Sequence, residues 1–230
     1  MKKLISISVS LTLLVASAGC GEKTDKADNT AKPTAQQQTN ATEEMIAVEN
    51  SGDEQETTVR DRKIVSSDTY EYEIFDGAAI ITKYKGGQTE VTVPDEIEGA
   101  PVEEIGFYAF EAQPVTSVTL PECIKVIGEG AFIDCASLVS INLPSALTTV
   151  EKGAFAGCSS LTDLTVPSGV KEIKRGAFAS CGSMKSLIIQ SMELRYDEWG
   201  IEDIPDLIVY APEGSAAAEW AGAMGKYSVN

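Results

Sequence analysis

The sequence predicts a repeat solenoid, in which stacked coils with short parallel strands share one continuous core. A 23-residue pattern occurs three times between residues 118 and 186, with a proline at Pro121, Pro144 and Pro167. A glycine, a phenylalanine and a cysteine recur at the same period, at Gly130, Gly153, Gly176, Phe132, Phe155, Phe178, Cys135, Cys158 and Cys181. A unit this short cannot enclose a core alone, so each coil is expected to bury its apolar side against its neighbours.

Each copy begins with a short strand, which the alternation of side chains indicates. In the middle copy, apolar Ile141 and Leu143 alternate with polar Ser140 and Asn142, the period-two pattern of a half-buried strand. Pro144 follows, and because proline has no N–H group to donate, the strand is expected to end there. A polar stretch and a Gly-Ala-Phe turn complete the copy. The predicted coil is therefore a strand, a corner, a wide turn and a second corner.

The N-terminal end of the stack is predicted to carry a hairpin cap, residues 69–89. Two segments of strand-forming residues, 70–74 and 79–84, flank Asp76-Gly77. This dipeptide is a strong signal for a two-residue hairpin turn. A hairpin in this place would cover the open end of the core, as the terminal units of repeat proteins must.

The C-terminal end is predicted to close with one more strand and a short helix, residues 209–230. The fifth coil, from Leu187, loses the repeated proline, Ala-Phe pair and cysteine. Further on, Ser215 can cap a helix over residues 216–223, which Gly225 would stop. The stack is therefore predicted to hold about five coils.

The chain before the repeats divides into two segments. Residues 1–20 contain two lysines, an apolar run and small residues before Cys20, which is the pattern of a secretion signal. Small residues directly before a cysteine resemble a bacterial lipobox, which implies a thioether-linked diacylglycerol on Cys20; a plain signal peptide is the alternative. Residues 21–68 are mostly polar and contain no Phe, Trp or Tyr. They are predicted to be a disordered tether before the folded domain, residues 69–230.

Composition and charge argue against several classes of function. The chain has 35 acidic and 18 basic residues, a formal net charge of −17, which disfavours a nucleic-acid partner. It contains no histidine, the commonest general base and metal ligand. Gly128-Glu129-Gly130 lacks the third glycine of a dinucleotide-binding loop. We therefore predict no catalytic residue, no metal site and no cofactor.

The repeat resembles the leucine-rich repeat, and more closely the BspA-like repeats of bacterial surface proteins. The spacing of Leu138, Ile141, Leu143 and Ala146 follows the leucine-rich pattern. The proline after the strand, the Ala-Phe pair and the cysteine followed by a small residue and leucine are similar to the BspA-like form. The resemblance runs from about residue 70 to about residue 229. It implies a leucine-rich-repeat solenoid with short parallel strands, and a role at the bacterial cell surface.

The three repeated cysteines should form a buried column. Cys135, Cys158 and Cys181 occupy one site in successive coils, with a spacing near that of adjacent strands, about 4.8 Å. Neighbouring cysteines at this spacing could form a disulfide bond, yet three cannot all pair, and cysteine is a favoured small core residue. We favour three reduced core thiols over a disulfide bond or a metal site.

The outward side chains of the strands are predicted to form two rows. The first row is Glu90, Ser117, Ser140, Asp163, Ser186 and Ile208, and the second is Thr92, Thr119, Asn142, Thr165, Ile188 and Tyr210. Both rows are small and polar until the last coils, where Ile188, Ile208 and Tyr210 make them apolar and aromatic. We therefore place a candidate binding face at these three residues, flanked by Asn142, Asp163 and Thr165. The alternative is that the apolar residues only pack against the C-terminal helix around Trp220.

These features predict a lipid-anchored lipoprotein on the extracellular face of the bacterial cell membrane. Its solenoid would bind a protein or a glycan, or mediate adhesion, because the strand rows form a surface that continues across coils. A structural envelope component without a dedicated ligand is the alternative. An extracellular hydrolase is disfavoured, since no polar triad is evident in the sequence.

Overall fold

The structure is a computed structural model that describes residues 62–194, 197–202 and 204–229. The predicted signal peptide, the lipidation site Cys20 and the tether up to residue 61 lie outside the described residues. Among the described residues, no helix combines the length and apolar character that a membrane span needs.

The chain folds as a solenoid whose coils each contribute a strand to one side, here called the front face. The front strands, in chain order, are β4 (Glu90–Thr92), β7 (Ser117–Thr119), β9 (Ser140–Ile141), β11 (Asp163–Val166), β13 (Ser186–Ile189), β14 (Ile208–Ala211) and β15 (Tyr227–Val229). Except between β9 and β11, neighbouring front strands pair in parallel, as predicted. The first six belong to successive coils, one more than the five predicted, and β15 follows the C-terminal helix.

A second side of each coil also forms strands, which the sequence did not predict. This back sheet runs in the order β1-β2-β3-β6-β8-β10-β12, with β5 paired to β6. Its members are β1 (Lys63–Ser66), β2 (Tyr70–Phe75), β3 (Ala78–Tyr84), β5 (Glu96–Ile97), β6 (Ala100–Ile105), β8 (Val126–Ile127), β10 (Thr149–Val150) and β12 (Glu172–Ile173). Two-residue strands carry too little alternation to be recognised in a sequence. They form because equivalent residues of successive coils pair.

The N-terminal hairpin is confirmed and extends the back sheet. β2 and β3 are antiparallel, and their turn residues Asp76 and Gly77 both have positive φ, 53° and 78°, as a two-residue hairpin turn requires. β3 then pairs in parallel with β6 of the first coil. β1 pairs with β2 and lies inside the segment predicted as tether. The folded part therefore includes residues 63–66, earlier than the predicted start at residue 69.

A column of aromatic rings runs along the core of the coils. The ring of Tyr84 in the cap stacks on Phe110 with centroids 4.9 Å apart, and Phe110 stacks on Phe132 at 5.0 Å. Phe155 and Phe178 continue the column at centroid distances of 5.4 and 5.9 Å. Aromatic pairs at such distances stabilise by about 0.5–1.5 kcal/mol beyond their buried area. The repeated phenylalanine is thus the core contact that links each coil to the next.

The C-terminal cap contains the predicted helix, α1 (Ala216–Ala223). The side chain of Ser215 accepts a hydrogen bond from the backbone N–H of Ala218, as predicted for the helix cap. Gly225, with φ of 69°, follows the helix. α1 buries Ala217, Ala218 and Ala221 in the core, and its Trp220 packs on buried Trp199 with ring centroids 5.6 Å apart.

Candidate functional site

The two outward rows of the front face lie in the predicted register. Glu90 pairs with Ser117 and Ser117 with Ser140 in the first row. In the second row, Thr165 pairs with Ile188 and Ile188 with Tyr210. Side chains that belong to the same row and lie on neighbouring strands are therefore adjacent, about 5 Å from one another.

The three apolar residues of the predicted site face outward from the core. In β14, Val209 and Ala211 are buried in the core, and successive side chains of a strand point to opposite faces. Ile208, which is 42% exposed, and half-buried Tyr210 therefore point away from the core that α1 covers. The alternative, that this patch packs against the C-terminal helix around Trp220, stays a prediction; the ring contact described for Trp220 is to buried Trp199.

The front sheet is divided between β9 and β11. β4, β7 and β9 form one sheet, and β11, β13, β14 and β15 form another. The back sheet is continuous over the same coils, because β8, β10 and β12 pair. The division is therefore confined to the front face, and the predicted site lies at it.

A shallow depression of about 320 Å³ marks this division. Its rim includes four of the six predicted site residues, Asn142, Asp163, Thr165 and Ile188. Its remaining lining residues, which the sequence analysis missed, are Ile141, Leu143 and Leu164. Nothing in the repeat distinguishes these aliphatic residues from their equivalents in other coils, since the division of the sheet is a tertiary feature. Ile208 and Tyr210 lie one strand beyond, beside Ile188 on β13.

Asn142 has a structural role in this arrangement. Its side-chain Nδ2 donates to the Leu120 carbonyl at 3.0 Å, and the Leu120 backbone N–H donates to its Oδ1 at 2.7 Å. The amide thus continues the hydrogen bonding between two coils beyond the last paired residues of β7 and β9. Asp163 and Thr165 are exposed, and neither makes a side-chain hydrogen bond or an ion pair with another described residue. They remain available to orient a partner.

The repeated cysteines are buried and reduced, as predicted. Each thiol donates to the carbonyl of the phenylalanine one coil before: Cys135 to Phe110 at 2.9 Å, Cys158 to Phe132 and Cys181 to Phe155. Burial raises the pKa of Cys135 to about 11 and that of Cys181 to about 12, and it raises the pKa of Cys158 further. The thiols are therefore uncharged at neutral pH and unreactive, since the thiolate is the nucleophile.

Charged residues on the other sides of the coils pair between neighbouring coils. Lys125 bonds to Glu103 at 2.6 Å and Lys174 to Glu151 at 2.7 Å. Burial, reinforced by the nearby charges of Glu151 and Glu73, raises the pKa of half-buried Glu104. Within the described residues, no three His, Cys, Asp or Glu side chains are grouped in a way that could hold a metal ion.

The comparisons with known proteins agree with this architecture. The sequence profile of the BspA type Leucine rich repeat region matches residues 87–198 in six copies. No curated protein matches the chain. Among solved structures, a leucine-rich repeat protein of T. pallidum is 29% identical with a TM-score of 0.60, over 63% of this chain and 70% of its own.

Two further solved structures are similar. A leucine-rich repeat protein from Bacteroides capillosus is 31% identical with a TM-score of 0.50, and the match covers 55% of this chain and 97% of that protein. A leucine rich cell surface protein from Faecalibacterium prausnitzii is 29% identical with a TM-score of 0.55, over 66% of this chain and 43% of its own. The period, the front strands, the ring column and these matches together show that this chain belongs to the BspA-type leucine-rich repeat family.

Proposed function

We propose that this chain is a bacterial surface lipoprotein that binds a protein partner through its front face. The observation that carries the proposal is the change of the outward rows from serine and threonine to Ile188, Ile208 and Tyr210 beside the depression at the sheet division. Aromatic and aliphatic side chains that leave water supply most of the binding energy in protein interfaces. Small polar residues mainly orient the partner.

Geometry supports a contact centred on β13 and β14. Ile188 and Tyr210 pair across the two strands, and Ile208 lies two residues before Tyr210 on the same face. These residues form one apolar patch, which the depression with Asp163 and Thr165 on its rim adjoins. A partner with an apolar anchor and a hydrogen-bond donor for the Asp163 carboxylate fits this surface.

The surface location and the lipid anchor are part of the same proposal. The relative from F. prausnitzii is described as a cell surface protein. In this chain, the apolar run and the small residues before Cys20 support export and lipidation. A polar segment between Cys20 and β1 would hold the solenoid away from the membrane, where its front face can meet a partner.

The proposal is tested by comparing capture by the whole chain with capture by Tyr210→Ala and Ile188→Ser. Envelope and host-surface extracts are passed over each immobilised protein, and the retained proteins are identified by mass spectrometry. We expect one protein to be retained by the wild type and lost with both variants. The matched control is Thr92→Ala, an outward residue of the same row at the other end of the stack.

Melting temperatures separate loss of binding from loss of folding. Both substitutions change outward side chains, so the melting temperatures of the variants should stay near that of the wild type. Retention of the partner by Tyr210→Ala and Ile188→Ser would contradict the proposed site. If the wild type captures only a glycan, the partner is a glycan and not a protein. If the wild type captures nothing, a structural envelope role is favoured.

A further inference from the structure

A row of side chains outside the front face lies beside the Gly-Ala-Phe turns. Its members, in coil order, are Phe107, Glu129, Lys152, Arg175 and Glu198, and we call them the corner row. Equivalent backbone hydrogen bonds between coils fix the register of this row. Their N–H donors and carbonyl acceptors are Tyr108 and Glu129, Gly130 and Lys152, Gly153 and Arg175, and Gly176 and Glu198. Successive members are therefore one coil apart, about 5 Å.

The first member of the corner row is an exposed aromatic residue. Phe107 is 66% exposed, whereas the other members of the row are charged. Its ring meets that of Tyr108, with centroids 4.2 Å apart. A single exposed aromatic side chain is common and does not by itself indicate a partner. The charges that follow Phe107 along the row are a second, independent observation.

The charged members form two ion pairs along the row. Lys152 Nζ lies 3.7 Å from Glu129 Oε1, and Arg175 Nε lies 3.0 Å from Glu198 Oε2. All four side chains are at least 43% exposed, and ion pairs this exposed contribute little to stability. Lys152 and Arg175 carry more hydrogen-bond donors than these pairs use, so both can bind further groups from outside. The planar face of the guanidinium can also stack on an aromatic ring.

The order of the members makes the corner row complementary to a reversed copy of itself. Along the chain it reads aromatic, negative, positive, positive, negative. Consider a second copy that faces the first across a two-fold axis midway between Glu129 and Lys152, with its row reversed. Each Glu129 then lies opposite Lys152 of the other copy. Each Phe107 lies opposite Arg175 of the other copy, because both residues are one and a half coils from the axis. Every contact occurs twice, as in an isologous dimer.

Other arrangements of the two rows bring like charges together. An axis at Glu129 or at Lys152 sets that residue opposite itself. An axis beyond Lys152 sets Lys152 opposite Arg175, or Arg175 opposite itself. A two-fold axis parallel to the row sets every charge opposite its own kind. Like charges that face each other disfavour an interface, so the row selects one register among those that overlap at least three members.

The backbone beside the corner row leaves room for this approach. Gly130, Gly153 and Gly176 follow the charged members and carry no side chain. In the reversed register, Gly130 faces Gly153 of the other copy. Tyr108 faces Gly176 of the other copy, where a Cβ would meet nothing within 4 Å. The register that pairs the charges therefore also gives the half-buried Tyr108 side chain an open place to face.

We propose that the corner row is a self-association surface, at which two copies of this chain form an antiparallel two-fold dimer. Glu129 and Lys152 form ion pairs across the axis, and Phe107 of each copy stacks on the Arg175 guanidinium of the other. No member of the corner row belongs to the front rows. The proposal therefore stands independently of the proposed function of the front face.

The test is sedimentation velocity of the whole chain over a range of concentrations. We expect a monomer–dimer equilibrium with a Kd of about 10–100 μM, because the surface is small and polar. The dimer should weaken between about 50 mM and about 500 mM NaCl, since salt screens exposed ion pairs. A lipid on Cys20 could also associate the chains, but that association would not respond to changes in the corner row.

A pair of charge reversals identifies the register. In Glu129→Lys, lysines face lysines across the axis, and in Lys152→Glu, glutamates face glutamates, so each variant alone should dimerise at least tenfold more weakly. Mixed together, the two variants place lysine opposite glutamate at every position, and a heterodimer with a Kd near that of the wild type should form. The ion pair within each chain stays broken in this mixture, so only contacts between chains can restore association.

Two further variants complete the test. Phe107→Ala should weaken the dimer at least tenfold without changing the melting temperature, because the side chain it removes is exposed. The matched control is Lys125→Glu, which reverses an ion pair with Glu103 outside the corner row. Its dimer should be as stable as that of the wild type.

The proposal is overturned if the wild type stays monomeric to about tenfold above the expected Kd, or if its dimer does not respond to salt. It is also overturned if either charge variant dimerises alone as the wild type does, or if their mixture stays monomeric. The salt comparison needs only the wild type, so it remains decisive even if a variant does not fold. Tyr210→Ala and Ile188→Ser should dimerise normally, so this proposal and that of the front face fail separately.

Discussion

The ring of Tyr108 lies over Gly130 of the next coil, so close that a Cβ on Gly130 would be 3.0 Å from the ring carbon Cζ. Tyr108 occupies the place that glycine holds in the following copies, and it shares their left-handed backbone, with φ of 54°. Its ring also meets exposed Phe107 at a centroid distance of 4.2 Å. The glycine of one coil therefore makes room for the aromatic side chain of the coil before it.

Gly130→Ala should destabilise the domain more than Gly176→Ala. Both glycines have positive φ, 60° and 68°, so alanine strains either backbone by about 1–2 kcal/mol. A Cβ at Gly176 meets nothing within 4 Å, whereas at Gly130 it displaces the Tyr108 ring. Chemical denaturation of the two variants measures the difference. In a double-mutant cycle, Tyr108→Ala should remove the excess free-energy cost of Gly130→Ala over Gly176→Ala. If the two glycine substitutions cost the same in the chain that keeps Tyr108, the contact is contradicted.

Asn142→Ala should lower the free energy of unfolding by about 1–3 kcal/mol, because it leaves the N–H and the carbonyl of Leu120 without their side-chain partner. Thr165→Ala is the matched control, since Thr165 is exposed in the same row and makes no side-chain hydrogen bond. Its effect should stay within about 0.5 kcal/mol. Urea denaturation compares the two variants, and an equal effect of both would show that the amide does not join the coils.

The stability of the domain should fall as pH rises from about 9 to about 12. In the unfolded chain the thiols ionise near their ordinary pKa of 9.0, whereas burial holds the pKa of Cys135 near 11 and that of Cys181 near 12. Between these values the folded chain binds more protons than the unfolded chain. The free energy of unfolding therefore decreases by up to about 1.4 kcal/mol per pH unit for each such thiol.

The control for this pH dependence is the chain with Cys135, Cys158 and Cys181 all changed to alanine. Its unfolding free energy should fall less steeply over the same range, and only the slopes are compared because the substitutions also remove packing. Thiol reagents should label the wild-type column only after denaturation. Labelling of the native chain at neutral pH, or equal slopes, would contradict a protonated buried column.

Cys20→Ala should release the protein from the membrane fraction or leave it uncleaved, because the variant lacks the sulfur that would carry the proposed diacylglycerol. Mass spectrometry of the mature wild type should find acyl mass on residue 20. A mature N-terminus at any other residue, without acyl mass, would contradict the lipid anchor. Asn142→Ala, which changes only the solenoid, should remain in the membrane fraction.

The sequence predicted those parts of the fold that repeat or that depend on local turn chemistry. The recurrence of proline, phenylalanine and cysteine placed the coils, and Asp76-Gly77 placed the hairpin. Alternation also predicted which side chains share a row, so Ile188 and Tyr210 were correctly placed side by side.

The missed features arise from contacts between coils that no local pattern records. The back strands are only two residues long from β8 onward, and they exist because equivalent residues pair. In the first coil, β5 and β6 also form a hairpin. Its turn residues are Glu98 and Gly99, both with positive φ. The division between β9 and β11 likewise depends on how whole coils are placed.

Because only the front sheet is divided, we expect the front of the domain to deform more easily than the back. On the back, the paired strands β10 and β12 and the stacked rings of Phe155 and Phe178 join the third coil to the fourth, and these connections resist extension. On the front, β9 and β11 are not joined as paired strands, so we expect a small bending motion about the back sheet to change the space between them more easily than elsewhere on this face. The position of greatest compliance thus coincides with the depression beside Ile188. If the proposed partner binds there, we expect it to be able to change the curvature of the stack.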